Sequence, residues 1–262
     1  NQYRRNEASP RGKIYQNGTE KQLGFLQERA FTQDVIETTR NKSNPEIITI
    51  GIGGNDVGFG DFIASCVLPG TCGFGVAGSE EQQKFVQRIA SIKPLLVKAY
   101  SGAKASSPDV RVYAHGYPEF LIQSGGSCDP STALDENERF AAVELIRYIN
   151  EVVQAAATEA GVFYVDVEDI FEGVNLCSDA EQKVFNGVRR GNDTDPIEDS
   201  SYDAVIPGRG ICIGKCFGSE TYHPNKFGHE IYAAQILAKT ANLTEPMSVP
   251  VQIQIPAPQP YF

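Results

Sequence analysis

The chain has 262 residues, 41% of them hydrophobic, and a formal net charge of −10. This length suits one sizeable core and does not require a second domain. The acidic balance argues against a nucleic-acid-binding surface, which needs clustered Lys and Arg. No apolar run approaches the ~18 residues that a membrane span requires.

The N-terminal part is predicted to contain one strand and one long helix. Residues 1–31 are polar and least structured in pattern, and Thr32 is suited to begin a short helix. The apolar run from Glu46 to Ile52 is typical of a buried parallel strand. A helix fits Glu80 to about Ala105, with a kink at Pro94.

The central part continues with the same alternation. We predict a strand over Val110–Ala114, a helix over Leu134–Ala160 that Gly161 ends, and a third strand over Val162–Val167. Strands that alternate with helices predict an α/β fold with a doubly wound parallel sheet.

The C-terminal part begins with a long loop over about 172–220, which is functional or held by disulfides. A final helix fits Asn225 to about Thr240, with Ile231, Ala234 and Leu237 facing inward. We predict a single domain over 1–242 and a Pro-rich tail over 243–262.

The six cysteines are even in number, and their spacings match no zinc ribbon or finger. Proximity and elimination predict three disulfides: Cys66–Cys72, Cys212–Cys216 and Cys128–Cys177. Four N-x-S/T sequons occur, at Asn17, Asn41, Asn192 and Asn242. Even cysteines beside four possible glycan sites favour a secreted, extracellular protein.

Two short segments carry polar residues where ligand sites of α/β sheets occur. Gly53-Gly54-Asn55-Asp56 follows the first predicted strand, and the segment YHPNKFGH, which contains His223, leads into the last helix. Gly-Gly-Asn-Asp is also a common turn sequence, and a lone His is more often structural than catalytic. His115 competes with His223 for a functional role because it lies at the end of a predicted strand. We assign His229 to packing or capping.

These two segments resemble two blocks of the SGNH (GDSL) hydrolase superfamily, in its secreted esterase and lipase branch. The resemblance covers about residues 32–240 and is weaker at 116–118 and 165–167. It implies a flavodoxin-like, three-layer α/β/α fold and a serine hydrolase that acts on a small-molecule, polysaccharide or lipid ester without a metal or cofactor. It also implies that Asn55, in the loop with Gly53 and Gly54, donates to the oxyanion and that His223 is the base. We expect Asn55 and His223 to flank one pocket at the carboxyl ends of the strands.

The third member of the catalytic set is less well defined. The family places an Asp three residues before the His, and Glu220 occupies that position here. Glu can serve in Ser-His-acid triads. Some secreted members of the family use a main-chain carbonyl instead, which would make Glu220 a bystander.

The nucleophile block Gly-Asp-Ser does not occur in this sequence. In this family the strand that carries it lies beside the strand that ends at Asn55, and an empty slot there would leave backbone N–H and C=O groups unpaired. We therefore expect residues upstream of Asn1, attached or retained as a separate peptide, to supply the strand and the serine. The alternative is a pseudoenzyme that binds or supports other molecules, with the slot filled from Val249–Ile255. A carbohydrate-binding domain is a third, weaker possibility, because Trp is absent.

Overall fold

The computed structural model describes residues 47–59, 62, 66, 79–105, 109–123, 125–126, 128, 132–188 and 221–246. Within these residues the chain forms three strands and four helices. In chain order they are β1 (Ile47–Ile50), α1 (Glu80–Ser91), α2 (Lys93–Lys104), β2 (Arg111–His115), α3 (Glu136–Ala160), β3 (Phe163–Val165) and α4 (Lys226–Ala241).

The three strands form one parallel sheet in the order β1-β2-β3. Ile50 pairs with Ala114 of β2, and His115 at the end of β2 pairs with Val165. The carboxyl ends of the strands therefore lie side by side, as the sequence predicts for an α/β fold. Residues that follow β1 and β2 are brought to one edge of the sheet.

Helices pack against both faces of this sheet. Val112 and Ala114 of β2 belong to the larger core cluster, to which α1, α2 and α3 contribute. Tyr113 points to the other face, where it joins a smaller cluster with Phe163 and contacts from α4 such as Ile236. The alternation follows from the period of two in a strand.

The predicted helix over 80–105 is divided into α1 and α2 at Ile92. Pro94 lies in the first turn of α2, where its missing N–H has no helical acceptor to lose. The break thus comes where the sequence places a kink, but it separates two helices.

Helix α3 has sequence signals that agree at both ends. The Asp135 carboxylate accepts from the backbone N–H of Glu138, and the Glu138 carboxylate accepts from that of Asp135. This reciprocal capping box satisfies two amides at the helix start. Gly161 ends the helix with φ 64°, in the left-handed region where glycine is favoured.

The predicted inward face of α4 is partly wrong. Ile231 is half-buried, but Ala234 is exposed and Leu237 is 71% exposed. Tyr232 and Ile236 pack against the sheet instead. The apolar pairs 231–232 and 236–237 allow two helical phases, and the contact of the Tyr232 hydroxyl with His115 selects one.

One predicted disulfide lies wholly within the described residues: Cys128 and Cys177 are bonded. Cys66 is disulfide-bonded too, but its predicted partner Cys72 lies outside them. Other predictions that also fall outside concern the helix at Thr32, the Pro-rich tail beyond residue 246, which includes Val249–Ile255, and the positions Cys212, Cys216, Asn17, Asn41 and Asn192. Across the described residues, no helix has the length and apolar character to cross a membrane.

Candidate active site

The first half of the site is the tight turn after β1 that contains Asn55. Gly53 has φ 115°, and its carbonyl accepts from the amides of Asp56 and Val57 at 3.0 and 3.1 Å. This backbone angle favours glycine, and a Cβ on Gly53 would lie 3.0 Å from Cδ1 of Ile92, so a larger residue would also have to displace that methyl group. Asn55 is exposed on this turn, and its side chain is accessible to a ligand.

The turn is joined to the segment that follows β2. The backbone N–H of Gly54 donates to the Tyr117 hydroxyl at 2.7 Å. The Tyr117 backbone in turn bonds the side-chain amide of Asn150, which is 3% exposed on α3. Sequence reasoning noted Tyr117 only as a weak family match and missed Asn150, because an Asn within a helix gives no signal of a partner 33 residues away.

The second half of the site is the turn before α4 that contains His223. Nδ1 of His223 lies 2.9 Å from the Thr221 carbonyl oxygen. A carbonyl can only accept, so this contact places the proton on Nδ1 and leaves the Nε2 lone pair free. The residue is exposed, and Nε2 is the ring nitrogen available to an incoming group.

The turn around His223 is held by backbone contacts with residues 183–186. Asn186 donates its N–H to the His223 carbonyl at 3.0 Å, and Asn225 donates to the Val184 carbonyl at 2.9 Å. Tyr222 has φ 54° and donates its hydroxyl to the Thr132 carbonyl. A tyrosine keeps a left-handed backbone conformation only where its surroundings fix it. Because Tyr222 directly precedes His223, tertiary contacts determine the position of His223.

An aromatic cluster connects the two turns. The ring of Phe120 lies 6.3 Å from that of Phe59, which ends the Asn55 turn, and 5.2 Å from that of Tyr222. Phe120 is 3% exposed. The two turns share this core contact, and the pocket predicted between Asn55 and His223 stays a prediction.

His115 and His229 occupy different surroundings. Nδ1 of His115 lies 2.6 Å from the Tyr232 hydroxyl oxygen, and a Cβ on Gly51 would meet the His115 ring. Burial lowers the pKa of His115, so its neutral form is favoured. His229 lies in α4; partial burial and the nearby His223 lower its pKa.

Other predicted site positions add less. Glu220 lies outside the described residues, so its orienting role stays a prediction. Asn242 is exposed just after α4, and its side chain donates to the Ala238 carbonyl at 3.2 Å. Within the ranges that the structure describes, no group of three or more His, Cys, Asp or Glu residues could hold a metal ion.

Comparison with solved structures supports the fold. A phospholipase A1 from Streptomyces albidoflavus matches with a TM-score of 0.51 at 23% identity, over 78% of this chain and 75% of that one. An extracellular lipase from Streptomyces rimosus matches with a TM-score of 0.53 at 22% identity, over 83% and 76%. The α/β fold of this chain, with its parallel sheet, is thus similar to the fold of these two enzymes.

Comparison of sequences identifies the family. The chain is 32% identical to a lipase of Streptomyces rimosus over 58% of its length and 55% of the relative's. It is 31% identical to Lipase 1 of Streptomyces coelicolor over 52% and 48%. The chain spans about half the length of these curated relatives. A sequence profile matches residues 17–231, more than three quarters of the chain, and by this match the protein belongs to the GDSL-like lipase/acylhydrolase family.

Proposed function

We propose that this protein is a secreted carboxylic ester hydrolase in which His223 is the general base and Asn55 donates to the oxyanion. The observation that carries the proposal is the 2.9 Å contact between Nδ1 of His223 and the Thr221 carbonyl. It sets the tautomer that acyl transfer needs, with Nε2 unprotonated and exposed. Family membership supplies the reaction class.

In this mechanism His223 first accepts a proton and then donates it. Nε2 accepts the proton of the nucleophilic hydroxyl as its oxygen attacks the ester carbonyl carbon. The imidazolium that forms then gives this proton to the departing alcohol as the C–O bond breaks. A water repeats the sequence on the acyl-enzyme and releases the carboxylic acid.

The Thr221 carbonyl does the orienting work that a triad carboxylate does elsewhere. It holds the Nδ1 proton and, through its partial negative charge, stabilises the imidazolium. Glu220 is then a secondary group, and its removal is expected to reduce turnover far less than removal of His223.

Asn55 stabilises the negative charge that develops on the carbonyl oxygen. Its exposed amide lies at the carboxyl end of β1, where α/β enzymes bind their substrates. Losing one such donor costs about 10²–10³ in kcat. The similar proteins include lipases and a phospholipase A1, which favours a lipid ester as the substrate.

The nucleophile is proposed to come from a segment that pairs with the edge of β1 that no described strand occupies. Among the described strands, β1 pairs with β2 alone, and Ile47 is 48% exposed. A strand on that edge would satisfy the remaining backbone groups and end beside Asn55. We propose that this segment carries the serine as well, either covalently attached or retained as a separate peptide.

The test combines intact mass, a fluorophosphonate probe and p-nitrophenyl esters of short and long acyl chains. We expect the native protein to react with the probe and to hydrolyse esters. His223→Ala should abolish turnover, and Asn55→Ala should lower kcat by about 10²–10³. A single species of residues 1–262 plus glycans that ignores the probe would contradict the enzyme.

That outcome would favour the second candidate, a catalytically inactive binding or structural module. The observation behind it is the absence of a Gly-Asp-Ser block from the sequence. Covalent reaction with the fluorophosphonate probe therefore distinguishes the two candidates.

A further inference from the structure

We propose that Tyr117 is a positioning residue for the oxyanion turn, and that the Asn150 amide on α3 clamps it in place. This inference rests on the proposed function, because it concerns the orientation of Asn55. The structure places the Tyr117 hydroxyl against the peptide that immediately precedes Asn55.

The peptide between Gly53 and Gly54 is held at both of its polar groups. Its carbonyl, on Gly53, accepts from the amides of Asp56 and Val57. Its N–H, on Gly54, donates to the Tyr117 hydroxyl at 2.7 Å. Because the two groups share one rigid plane, these contacts fix that plane and with it the direction in which Asn55 leaves the turn.

Two successive glycines would otherwise leave this peptide free to rotate. Glycine samples positive and negative φ with little steric cost. The hydrogen bonds within the turn hold only the carbonyl side of this peptide. The Tyr117 hydroxyl is the partner on the other side. Removing it leaves a partly buried N–H without its acceptor, which favours rotation toward another partner.

The Tyr117 ring is fitted closely to the glycine. A Cβ at position 54 would lie 3.1 Å from Cε1 and 3.2 Å from the hydroxyl oxygen of Tyr117. Burial raises the pKa of Tyr117 and the nearby Asp56 raises it further, although the Gly54 N–H opposes this. The hydroxyl therefore stays neutral and accepts from Gly54 at any pH that the enzyme meets.

Asn150 fixes the backbone of Tyr117 from the opposite side. Its Oδ1 accepts from the Tyr117 N–H at 2.7 Å, and its Nδ2 donates to the Tyr117 carbonyl at 2.8 Å. The same Nδ2 donates to Oε2 of Glu168 at 3.0 Å, which determines which way the amide points. A buried amide with its donors and acceptor paired is a rigid support.

The support extends to a charged group. Glu168 also faces Arg147, with Oε1 3.6 Å from the guanidinium Nε, and Arg147 bonds Glu119 at 2.6 Å. Arg147 and Asn150 lie one turn apart on α3. One helix thus holds the segment after β2, and that segment holds the oxyanion turn after β1.

The kinetic test uses Tyr117→Phe, which removes only the hydroxyl, with Tyr100→Phe as the matched control. The Tyr100 hydroxyl is buried and, within the described part of the chain, has no hydrogen-bond partner. We expect Tyr117→Phe to lower kcat about tenfold with little change in KM, because the lost alignment acts on the transition state. Tyr100→Phe should retain the kcat of the wild type.

The double variant Tyr117→Phe with Asn55→Ala distinguishes positioning from general damage. If Tyr117 acts through Asn55, the double variant should be no slower than Asn55→Ala alone. Asn150→Asp should reproduce the loss, since a carboxylate oxygen would face the Tyr117 carbonyl and Glu168. Amide hydrogen exchange of Gly54 should accelerate in Tyr117→Phe.

The outcomes separate the two proposals. A wild type without ester turnover overturns the proposed function and the catalytic consequence of the Tyr117 contact together. An active wild type overturns only the positioning role if Tyr117→Phe keeps its kcat, or if the losses in the double variant multiply.

Discussion

The rings of Phe120 and Tyr222 pack with their centroids 5.2 Å apart and their planes at 45°. Phe120 follows β2, whereas Tyr222 directly precedes His223. Phe120 also contacts Phe59 at the end of the Asn55 turn. A single buried side chain therefore contacts both the turn that contains Asn55 and the turn that contains His223.

Phe120→Leu should lower both stability and turnover. The smaller side chain loses the ring contacts on both sides and leaves space, at a cost of about 1–3 kcal/mol. Phe163→Leu is the control, because Phe163 belongs to the cluster on the other face of the sheet. In Phe120→Leu, the free energy of unfolding measured in urea and kcat should both fall. In Phe163→Leu, only the free energy of unfolding should fall. Equal kcat in the two variants would show that the Phe120 contacts do not affect turnover.

Gly51→Ala should destabilise the carboxyl end of β1. A Cβ there would lie 2.0 Å from Cε1 of His115 and 2.7 Å from its Nε2, so the ring must leave its contact with Tyr232. We expect a loss of about 1–3 kcal/mol in the free energy of unfolding.

The matched control is Gly102→Ala, in α2. Within the described residues, no atom outside the local helix backbone lies within 4 Å of its Cβ position, so alanine should raise stability by about 0.5–1 kcal/mol. Calorimetry should shift the two melting temperatures in opposite directions. A destabilised Gly102→Ala would show that the helix cannot accept the added methyl.

The sequence predicts those elements whose local and tertiary preferences agree. The three strands, the capped helix α3 and the glycine turn at Asn55 all carry short-range signals: apolar runs, Asp135 with Glu138, and Gly161. Each of these is found, with bounds that differ by a few residues.

The rest depends on contacts between distant residues. The phase of α4 is set by the bond between Tyr232 and His115, not by its own periodicity. The partner of His223 is a backbone carbonyl two residues away, which residue types do not specify. The Asn150 clamp likewise joins two segments that share no motif.

The disulfide between Cys128 and Cys177 closes a sequence separation of 49 residues. Replacing both cysteines by serine should lower the free energy of unfolding by about 2–4 kcal/mol, since the open chain gains freedom when it unfolds. Urea denaturation measures this. Non-reducing peptide mapping should also return Cys66–Cys72 and Cys212–Cys216, and a peptide joining Cys72 to Cys128 would contradict the scheme.

His115 should make the stability of the fold depend on pH. Burial is the main cause that lowers its pKa from the ordinary value of 6.5, and the hydrogen bond with the carbonyl of Gly116 opposes it. The unfolded chain therefore binds a proton more readily than the folded one, so the stabilisation is complete above pH ~6.5 and is lost as the pH falls below it. His115→Gln removes this titration. The free energy of unfolding of the wild type, relative to the variant, should be constant between about pH 7 and 8 and decline toward pH 5.

Glu119 and Glu138, whose pKa values burial raises, act in the opposite direction but are common to both proteins, so they cancel in the difference. Parallel pH profiles of the two proteins would show that His115 is not held neutral in the fold.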